Sequence, residues 1–360
     1  MTKQHIAYDD TMLIIGAGAH VPYEFPTSLE LTELIRTLYT EASGYVPISY
    51  IGRDIRADKA AICRLLRDLS IVPDTGGHLS ANGYDLLLTA TVDNFVIEFG
   101  QSQVYSIDKF LAQRAKTHPN DKTTILLGKL IIAYFIHKFE VSKKFGFHKF
   151  DWIQYLINEH LCNPKQMEDF FSKPPKIITF NYDNVLEHSL FLHLKSFHAI
   201  EEAEAIKKIQ SLGITHVYGH LDTLNPDFRT TPNLLYAEAL KSIRIIGEER
   251  TNHLEIADLI LKSLSNKTKN IYFLGFGFDH LNVATLFKNC PSRGDDFYYG
   301  MKFYTTHFKL DAMQKAELRS SVPFSLEIRN EDSCSELDLI RKYQPIFKKT
   351  TRNPPTVRSL

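Results

Sequence analysis

Short apolar runs that alternate with helical patterns constrain the fold of this 360-residue chain more than any other feature. Buried parallel strands are apolar on both faces, and each parallel pair needs a crossover that is usually a helix. The sequence therefore predicts an α/β fold, a Rossmann-like parallel sheet flanked by helices. The runs that we interpret as strands occupy residues 12–15, 177–180, 214–218 and 271–274, with a weaker fifth run at 297–304.

The alternation stops between residues 58 and 173, where the patterns predict helices and no central strand. We therefore divide the chain into an α/β core of residues 1–57 and 174–347, an inserted helical subdomain of residues 58–173 and a flexible tail of residues 348–360. Helices are predicted in the core at residues 28–40, 183–194, 201–212, 252–264, 280–288 and 309–320, and in the insertion at residues 58–69, 106–115, 123–139 and 150–161.

Composition and charge exclude several classes of protein. Lysine plus arginine and aspartate plus glutamate number 42 each, so no net charge draws the chain to nucleic acid or to an anionic membrane. The most apolar run, residues 125–136, is too short to span a bilayer, and residues 1–5 lack the apolar core of a secretion signal. The four cysteines form no CxxC pair, which is typical of reduced thiols and not of a zinc site. We expect a cytoplasmic protein that uses no metal and binds neither nucleic acid nor a membrane directly.

A glycine-alanine-glycine turn at residues 16–18 follows the first predicted strand. Glycines let the chain turn sharply and bring backbone amides close to a phosphate. The third glycine of a dehydrogenase fingerprint is missing. Thr27 and Glu30 have capping-box spacing, so the next helix is expected only after a loop at residues 20–26. The turn indicates a dinucleotide site of another kind than that of dehydrogenases, although glycines in such turns also serve packing alone.

Three further blocks stand at the ends of later predicted strands. Their sequences are TFNYDN at residues 179–184, HVYGH at residues 216–220 and LGFGF at residues 274–278. Together with the turn at residues 16–18, they resemble the sequence blocks of sirtuins and occur in the same order. The resemblance covers the α/β core and not the helical insertion.

More closely, the chain resembles the sirtuin-like proteins of bacterial anti-phage defence. That resemblance implies an NAD hydrolase, which cleaves NAD to nicotinamide and ADP-ribose and so depletes an infected cell of NAD. It also implies a homo-oligomer and a partner such as an ATPase or an Argonaute-like protein. Two other functions stay open. One is an NAD-dependent protein deacylase, against which the missing zinc cysteines count, and the other is a non-catalytic sensor of NAD or ADP-ribose.

The resemblance also assigns catalytic roles to three residues. Asn181 is expected to hold the ribose and the attacking water, and His216 or His220 to accept a proton from that water. Each has a plainer interpretation, because Asn181 fits a helix cap, His216 a core histidine and His220 a surface histidine. Tyr218 replaces the histidine of the deacylase pattern, and His20 suits a ligand contact or a packing role equally, so the identity of the base stays open.

The remaining predicted site residues are expected to bind NAD, and we expect no metal among them. Most come from the ends of the predicted strands, where ligands meet a parallel sheet. The set comprises Gly16, Ala17, Gly18, Ala19, Pro26, Phe180, Asp183, Tyr218, Gly219, Gly275, Gly277 and Phe278.

Overall fold

A sheet of six parallel strands forms the centre of the structure. The structure is a computed structural model and describes residues 8, 10–39, 55–72, 81–142, 151–245, 258, 261–262, 268–291, 298, 301–305 and 312–328. Helices flank the sheet, so the predicted α/β fold is confirmed. The strands are β1 (Thr11–Ile15), β2 (Lys176–Thr179), β3 (Thr215–His216), β4 (Asn270–Leu274), β5 (Lys302–Thr305) and β6 (Leu326–Ile328).

The order of the strands across the sheet is β3-β2-β1-β4-β5-β6. From β1 the sheet grows first in one direction, through β2 and β3, and then in the other, through β4, β5 and β6. The strand order therefore reverses between the neighbouring strands β1 and β4, and the loops that follow these two strands lie on the two sides of that point. In open α/β sheets this reversal opens a crevice at the carboxyl ends of the strands, where ligands bind.

The two central strands are buried along their whole length, which explains their continuous apolar sequences. Ile14 of β1 pairs with Ile178 of β2 on one side and with Phe273 of β4 on the other. This register aligns the carboxyl ends of the three strands. Residues that follow β1, β2 and β4 consequently meet at one edge of the sheet.

Helices fill the described chain between β1 and β2, as the sequence predicts for most of this stretch. The helix α1 follows β1, and its capping box between Thr27 and Glu30 is confirmed. The long helix α3 and the short helix α7 are not predicted by the sequence patterns. The division of the chain into two domains stays a prediction. The helices are α1 (Ser28–Arg36), α2 (Ile55–Asp68), α3 (Ala81–Gln101), α4 (Ile107–Thr117), α5 (Lys122–Ser142), α6 (Trp152–His160) and α7 (Pro164–Ser172).

The structure describes six helices after β2. The predicted helix at residues 252–264 lies largely outside the described residues, and the predicted tail at residues 348–360 lies entirely outside them. Two helices between β3 and β4, α10 and α11, are not predicted, and both begin at a proline in the first turn. The helices are α8 (Val185–Ser196), α9 (Glu202–Ser211), α10 (Pro226–Thr230), α11 (Pro232–Ser242), α12 (His280–Phe287) and α13 (Ala312–Ser321).

The loop predicted at residues 20–26 is wrong in part, because residues 20–23 belong to a 3-10 helix and only residues 24–26 lie outside a helix. The chain leaves β1 through an extended Gly16 and enters a 3-10 helix at Ala17–Tyr23. Glu24 ends this helix in the left-handed conformation, with φ of 58°, and its N–H donates to the Val21 carbonyl. Three of the predicted binding residues, Ala17, Gly18 and Ala19, therefore lie in a helical turn.

The third predicted strand is also shorter than its apolar run. The run covers residues 214–218, but β3 keeps only two residues, because the chain turns at Gly219, where φ is 73°. The three-residue strand β6 is too short for a periodic pattern to reveal. No helix in the described part of the chain has the length and apolar character needed to cross a membrane.

Candidate functional site

Three glycines hold the loops after β1 and β4 against each other. The Gly18 N–H donates to the Gly275 carbonyl at 3.1 Å. A Cβ atom on Gly16 would lie 2.6 Å from the Gly275 oxygen, and one on Gly275, where φ is 56°, would lie 1.9 Å from the Ala19 nitrogen. Side chains at these positions would therefore push the two loops apart. The contact requires glycine whichever ligand the crevice takes.

Asn181 follows β2 at this crevice, and its side chain is directed toward the turn after β1. Its Nδ2 donates to the Gly16 carbonyl at 3.3 Å, and its backbone N–H donates to Thr179 Oγ1 at 3.1 Å. Asn181 is 5% exposed, and its Oδ1 is buried with no hydrogen-bond partner among the described residues. Helix α8 is capped at Asn184 instead, so the alternative interpretation of Asn181 as a helix cap is wrong.

His20 lies beside Asn181 and is the residue whose role the sequence left most open. Its Nδ1 is 2.7 Å from Asp183 Oδ1 and 2.9 Å from Asn181 Nδ2. Since the Asn181 amide already has the Gly16 carbonyl as its acceptor, Nδ1–H can donate to Asp183. That tautomer leaves Nε2 with a lone pair, and Nε2 is buried without a described partner.

Trp152 of α6 fixes the position of His20 from the side of the insertion. Its Nε1–H donates to the Ala19 carbonyl at 3.0 Å, and its ring is nearly parallel to the His20 ring, with an interplanar angle of 4° and 6.4 Å between centroids. His20 is 2% exposed as a result of this enclosure. We call His20, Asn181 and Asp183 the Asn181 cluster.

His216 and His220 occupy a different environment, around Glu187 of α8. His216 Nε2 donates to Glu187 Oε1 at 2.8 Å, and its Nδ1 donates to the Asn181 carbonyl at 3.1 Å. Because both ring nitrogens face acceptors, the imidazole is held in its protonated, doubly donating form. The His220 ring stacks on that of His216, with centroids 4.1 Å apart. We call Glu187, His216 and His220 the Glu187 cluster.

The pKa values in the Glu187 cluster follow from these contacts. Burial opposes the charged form of His216, but the Glu187 carboxylate and two hydrogen bonds outweigh it and raise the pKa of His216. Burial likewise favours the neutral form of Glu187, but the charge on His216 lowers the pKa of Glu187. Burial lowers the pKa of His220 to about 4, and the charge on His216 adds to that effect. At neutral pH the cluster therefore contains one ion pair and one uncharged histidine.

An aromatic group lies next to the Asn181 cluster. The ring of Phe180 is 5.6 Å from that of Tyr218 and 4.9 Å from that of Phe276, which in turn lies 4.9 Å from Phe278. The Tyr218 hydroxyl donates to Asn282 Oδ1 at 2.6 Å, and burial raises the pKa of Tyr218. Tyr218 therefore acts as a neutral hydrogen-bond donor within an apolar wall.

Of the other predicted binding residues, some are packed inside the protein and one is exposed to solvent. Gly219 is required by a close approach, because a Cβ atom there would lie 2.0 Å from the Ser242 carbonyl oxygen. Pro26 is buried between the 3-10 helix and α1. Gly277 is exposed, and a Cβ atom there would meet no atom of the described residues within 4 Å. Packing against the described residues therefore does not require glycine at this position.

Sequence reasoning missed several polar residues that tie the insertion to this edge of the sheet. Glu140 of α5 accepts from the Asn184 N–H at 2.7 Å, and Lys109 of α4 pairs with Asp279 at 2.6 Å. Asp108 accepts a hydrogen bond from the Tyr182 hydroxyl. Glu140 is a charged residue in a largely apolar helix, and this sequence feature could have indicated the contact. A buried carboxyl group requires polar partners, so a carboxylate in an apolar helix predicts a polar contact.

Among the described residues, no group of three or more histidine, cysteine, aspartate or glutamate side chains is arranged to hold a metal ion. Comparison with protein-family models finds no match to the chain. Comparison with curated proteins finds no match either. The functional assignment therefore depends on the residues and contacts described above.

Proposed function

We propose that the chain is a sirtuin-like NAD hydrolase, which binds NAD at the carboxyl edge of its sheet and cleaves the bond between nicotinamide and ribose. The observation that carries this proposal is the Asn181 cluster, which lies at the crevice where the strand order reverses. The cluster contains the Asn181 amide and His20, whose ring is oriented by the Asp183 carboxylate. Asn181 Oδ1 and His20 Nε2 are both buried and have no hydrogen-bond partner among the described residues. Groups of this kind suit a polar ligand that supplies the missing hydrogen bonds.

The proposed reaction consumes one water molecule. The C–N bond between ribose and the pyridinium ring breaks, and its electron pair leaves with nicotinamide, which is thereby neutral. Water forms a new C–O bond at the same carbon and loses one proton. Because the leaving group needs no protonation, the protein must chiefly stabilise the positively charged ribose and place the water. We assign both tasks to the Asn181 side chain.

The proton acceptor that the geometry favours is His20. Asp183 orients its Nδ1–H and leaves Nε2 as the basic nitrogen, the arrangement by which a carboxylate prepares a histidine for general-base catalysis. His216 is a weaker candidate, because both of its nitrogens donate to acceptors. His220 contacts His216 and not the Asn181 side chain. The proposed catalytic residues are therefore Asn181 and His20, with Asp183 as a positioning residue.

One observation favours a second function, that of a non-catalytic sensor of NAD or ADP-ribose. Asn181 and His20 are 5% and 2% exposed, so a substrate reaches them only if the covering residues move. A sensor would use the same crevice and would need no access for water. The two functions differ in whether bound NAD is consumed.

The deciding experiment incubates the full-length protein with NAD and quantifies nicotinamide and ADP-ribose by chromatography. The hydrolase should release both products in equal amounts, and Asn181→Ala, as the inactive control, should release neither. Intact NAD after prolonged incubation, together with measurable NAD binding, would support the sensor. A parallel incubation with an acetylated peptide tests the alternative function of a protein deacylase. A deacylase would consume NAD only when the peptide is present.

The proposed setting follows the same resemblance. We propose that the enzyme acts in the cytoplasm as a homo-oligomer in anti-phage defence, with an ATPase or an Argonaute-like protein as its partner. Repeating the nicotinamide assay with the products of neighbouring genes, and measuring the molar mass in solution, tests both points. A monomer whose activity does not change with any of these proteins would remove this part of the proposal.

A further inference from the structure

A second cavity lies beside the edge strand β3, and its volume is about 350 Å³. Its wall contains all three residues of the Glu187 cluster and also Asp222. No residue of the Asn181 cluster lines it. Small-molecule sites in proteins have volumes of roughly 300–1,000 Å³, so the cavity is large enough for a compact ligand.

The charges on its wall favour a cation. No lysine or arginine is among the described residues that line the cavity. The positive charge of His216 is neutralised by Glu187, which it contacts at 2.8 Å. His220 is uncharged at neutral pH, because burial and the charge on His216 lower its pKa to about 4. Asp222 adds a carboxylate that forms no ion pair with a described residue; desolvation raises its pKa, but hydrogen bonds from Asn225 favour its charged form.

The rest of the wall is suited to an apolar body. Ile206 and Ile209 of α9 and Leu224 line the cavity, and Leu224 and Ile209 are 7% and 4% exposed. The stacked rings of His216 and His220 add a flat surface. Apolar and aromatic side chains with a few polar groups are the usual lining of a ligand site.

We propose that this cavity is a binding site for a small organic cation, a protonated amine on an aromatic or aliphatic body, separate from the NAD crevice. The amine binds beside the carboxylates of Asp222 and Glu187, and the apolar body packs on Ile209 and Leu224. Phosphates and carboxylates are disfavoured, because Asp222 would repel them and the positive charge of His216 is already neutralised by Glu187. The proposal is independent of NAD hydrolysis and holds for an enzyme or a sensor.

Calorimetric titration of the full chain with three ligands of similar size tests the charge preference. The ligands are phenethylamine, which is a cation, 2-phenylethanol, which is neutral, and 3-phenylpropionate, which is an anion. We expect the amine to bind at least about tenfold more tightly than the alcohol, because only the amine places a positive charge beside the carboxylates, and we expect the anion to show no binding. Equal or tighter binding of the alcohol or the anion, or binding of none of the three, overturns the proposal.

Two variants locate the amine. Asp222→Asn should weaken its binding at least about tenfold, whereas Asp85→Asn, an exposed aspartate on α3 that does not line the cavity, should leave it unchanged. Gln210→Lys places a positive charge on an exposed lining residue of α9, should weaken binding similarly, and does not disturb the core.

Saturating NAD should leave the affinity for the amine unchanged. Competition between the two ligands, or unchanged affinity in both Asp222→Asn and Gln210→Lys, would show that the amine binds elsewhere and would overturn the proposal. Because none of these titrations measures NAD cleavage, failure of the proposed hydrolase would be seen separately, as the absence of nicotinamide release.

Discussion

The Asn181 cluster and the Glu187 cluster lie side by side at one edge of the sheet, yet His20 of the first cluster and His216 of the second are in opposite conditions. His20 has one nitrogen held by Asp183 and the other without a described partner. His216 has both nitrogens occupied and forms an ion pair. A histidine can take up a proton from water only through a nitrogen with an available lone pair. The hydrogen-bond partners of a histidine, more than its place in a motif, therefore decide whether it can act as a base.

The largest expected effect comes from Asn181→Ala in the Asn181 cluster. We expect nicotinamide release to fall by at least about a hundredfold, since removing one group that stabilises transition-state charge typically costs 10²–10³ in rate. NAD binding should persist, because the glycine contacts between residues 16–18 and Gly275 are untouched. Asn233→Ala, at an exposed asparagine on α11, is the matched control and should keep full activity. A folded Asn181→Ala protein with normal turnover would remove Asn181 from the mechanism.

The second prediction compares the histidines of the two clusters directly. His20→Ala should lower the rate by about a hundredfold, as loss of a general base does, and Asp183→Asn should lower it in the same direction. His216→Ala and His220→Ala should retain most of the activity when folded. His118→Ala, at an exposed histidine, serves as the control for mutation of this residue type.

Rates and melting temperatures of these variants would separate catalysis from stability. A hundredfold loss in His216→Ala or His220→Ala, together with an active His20→Ala, would return the base to the residues that the sequence motif indicates. Such a loss in His216→Ala would also show that the ion pair of His216 with Glu187 opens during the reaction.

The third prediction concerns Glu140, whose carboxyl group interacts with both clusters. Burial raises its pKa to about 8 from the usual 4.5, and the charges of Asp183 and Glu187 contribute. Because the folded-state pKa is raised, the contribution of Glu140 to stability is fully present below about pH 4.5 and is lost as the pH rises through about 8. Glu140→Gln should remove this loss of stability, because an amide does not ionise in this pH range. Its side-chain oxygen can still accept the hydrogen bond from the Asn184 N–H.

Melting temperatures measured in mildly acidic and mildly alkaline buffer test this prediction. Between about pH 5 and pH 8.5 the wild-type value should fall by at least about 2 °C more than that of Glu140→Gln. Glu159→Gln, at an exposed glutamate of α6, should behave as the wild type does. Parallel curves for the wild type and Glu140→Gln would contradict the assignment of a neutral, buried Glu140.

The smallest expected effect is that of metal removal, which should change nothing in either cluster. The sequence has no paired cysteines and no HExxH helix, so we expect activity to survive EDTA. Elemental analysis before and after dialysis against EDTA provides the measurement. Stoichiometric zinc that is lost together with activity would refute this prediction and would require a ligand set that the clusters do not provide.

The sequence by itself determined the features that depend on neighbours along the chain. Apolar runs of four residues predicted the strands β1, β2 and β4, because a buried parallel strand needs apolar side chains on both faces. The spacing of Thr27 and Glu30 predicted the start of α1, since a capping box joins residues three positions apart. The placement of Gly16 and Gly275 directly after strands indicated where the crevice lies.

Only the tertiary structure decided which polar groups meet there. Asn181 and His20 are 161 residues apart in sequence, and His216 and Glu187 are 29 apart, beyond the reach of any local pattern. The strand order that brings the loops after β1 and β4 together is equally non-local. Hydrogen bonds and ion pairs depend on atoms within a few ångströms, and the fold alone sets those distances. The same reason explains why His20 keeps a buried nitrogen with a lone pair available and His216 does not.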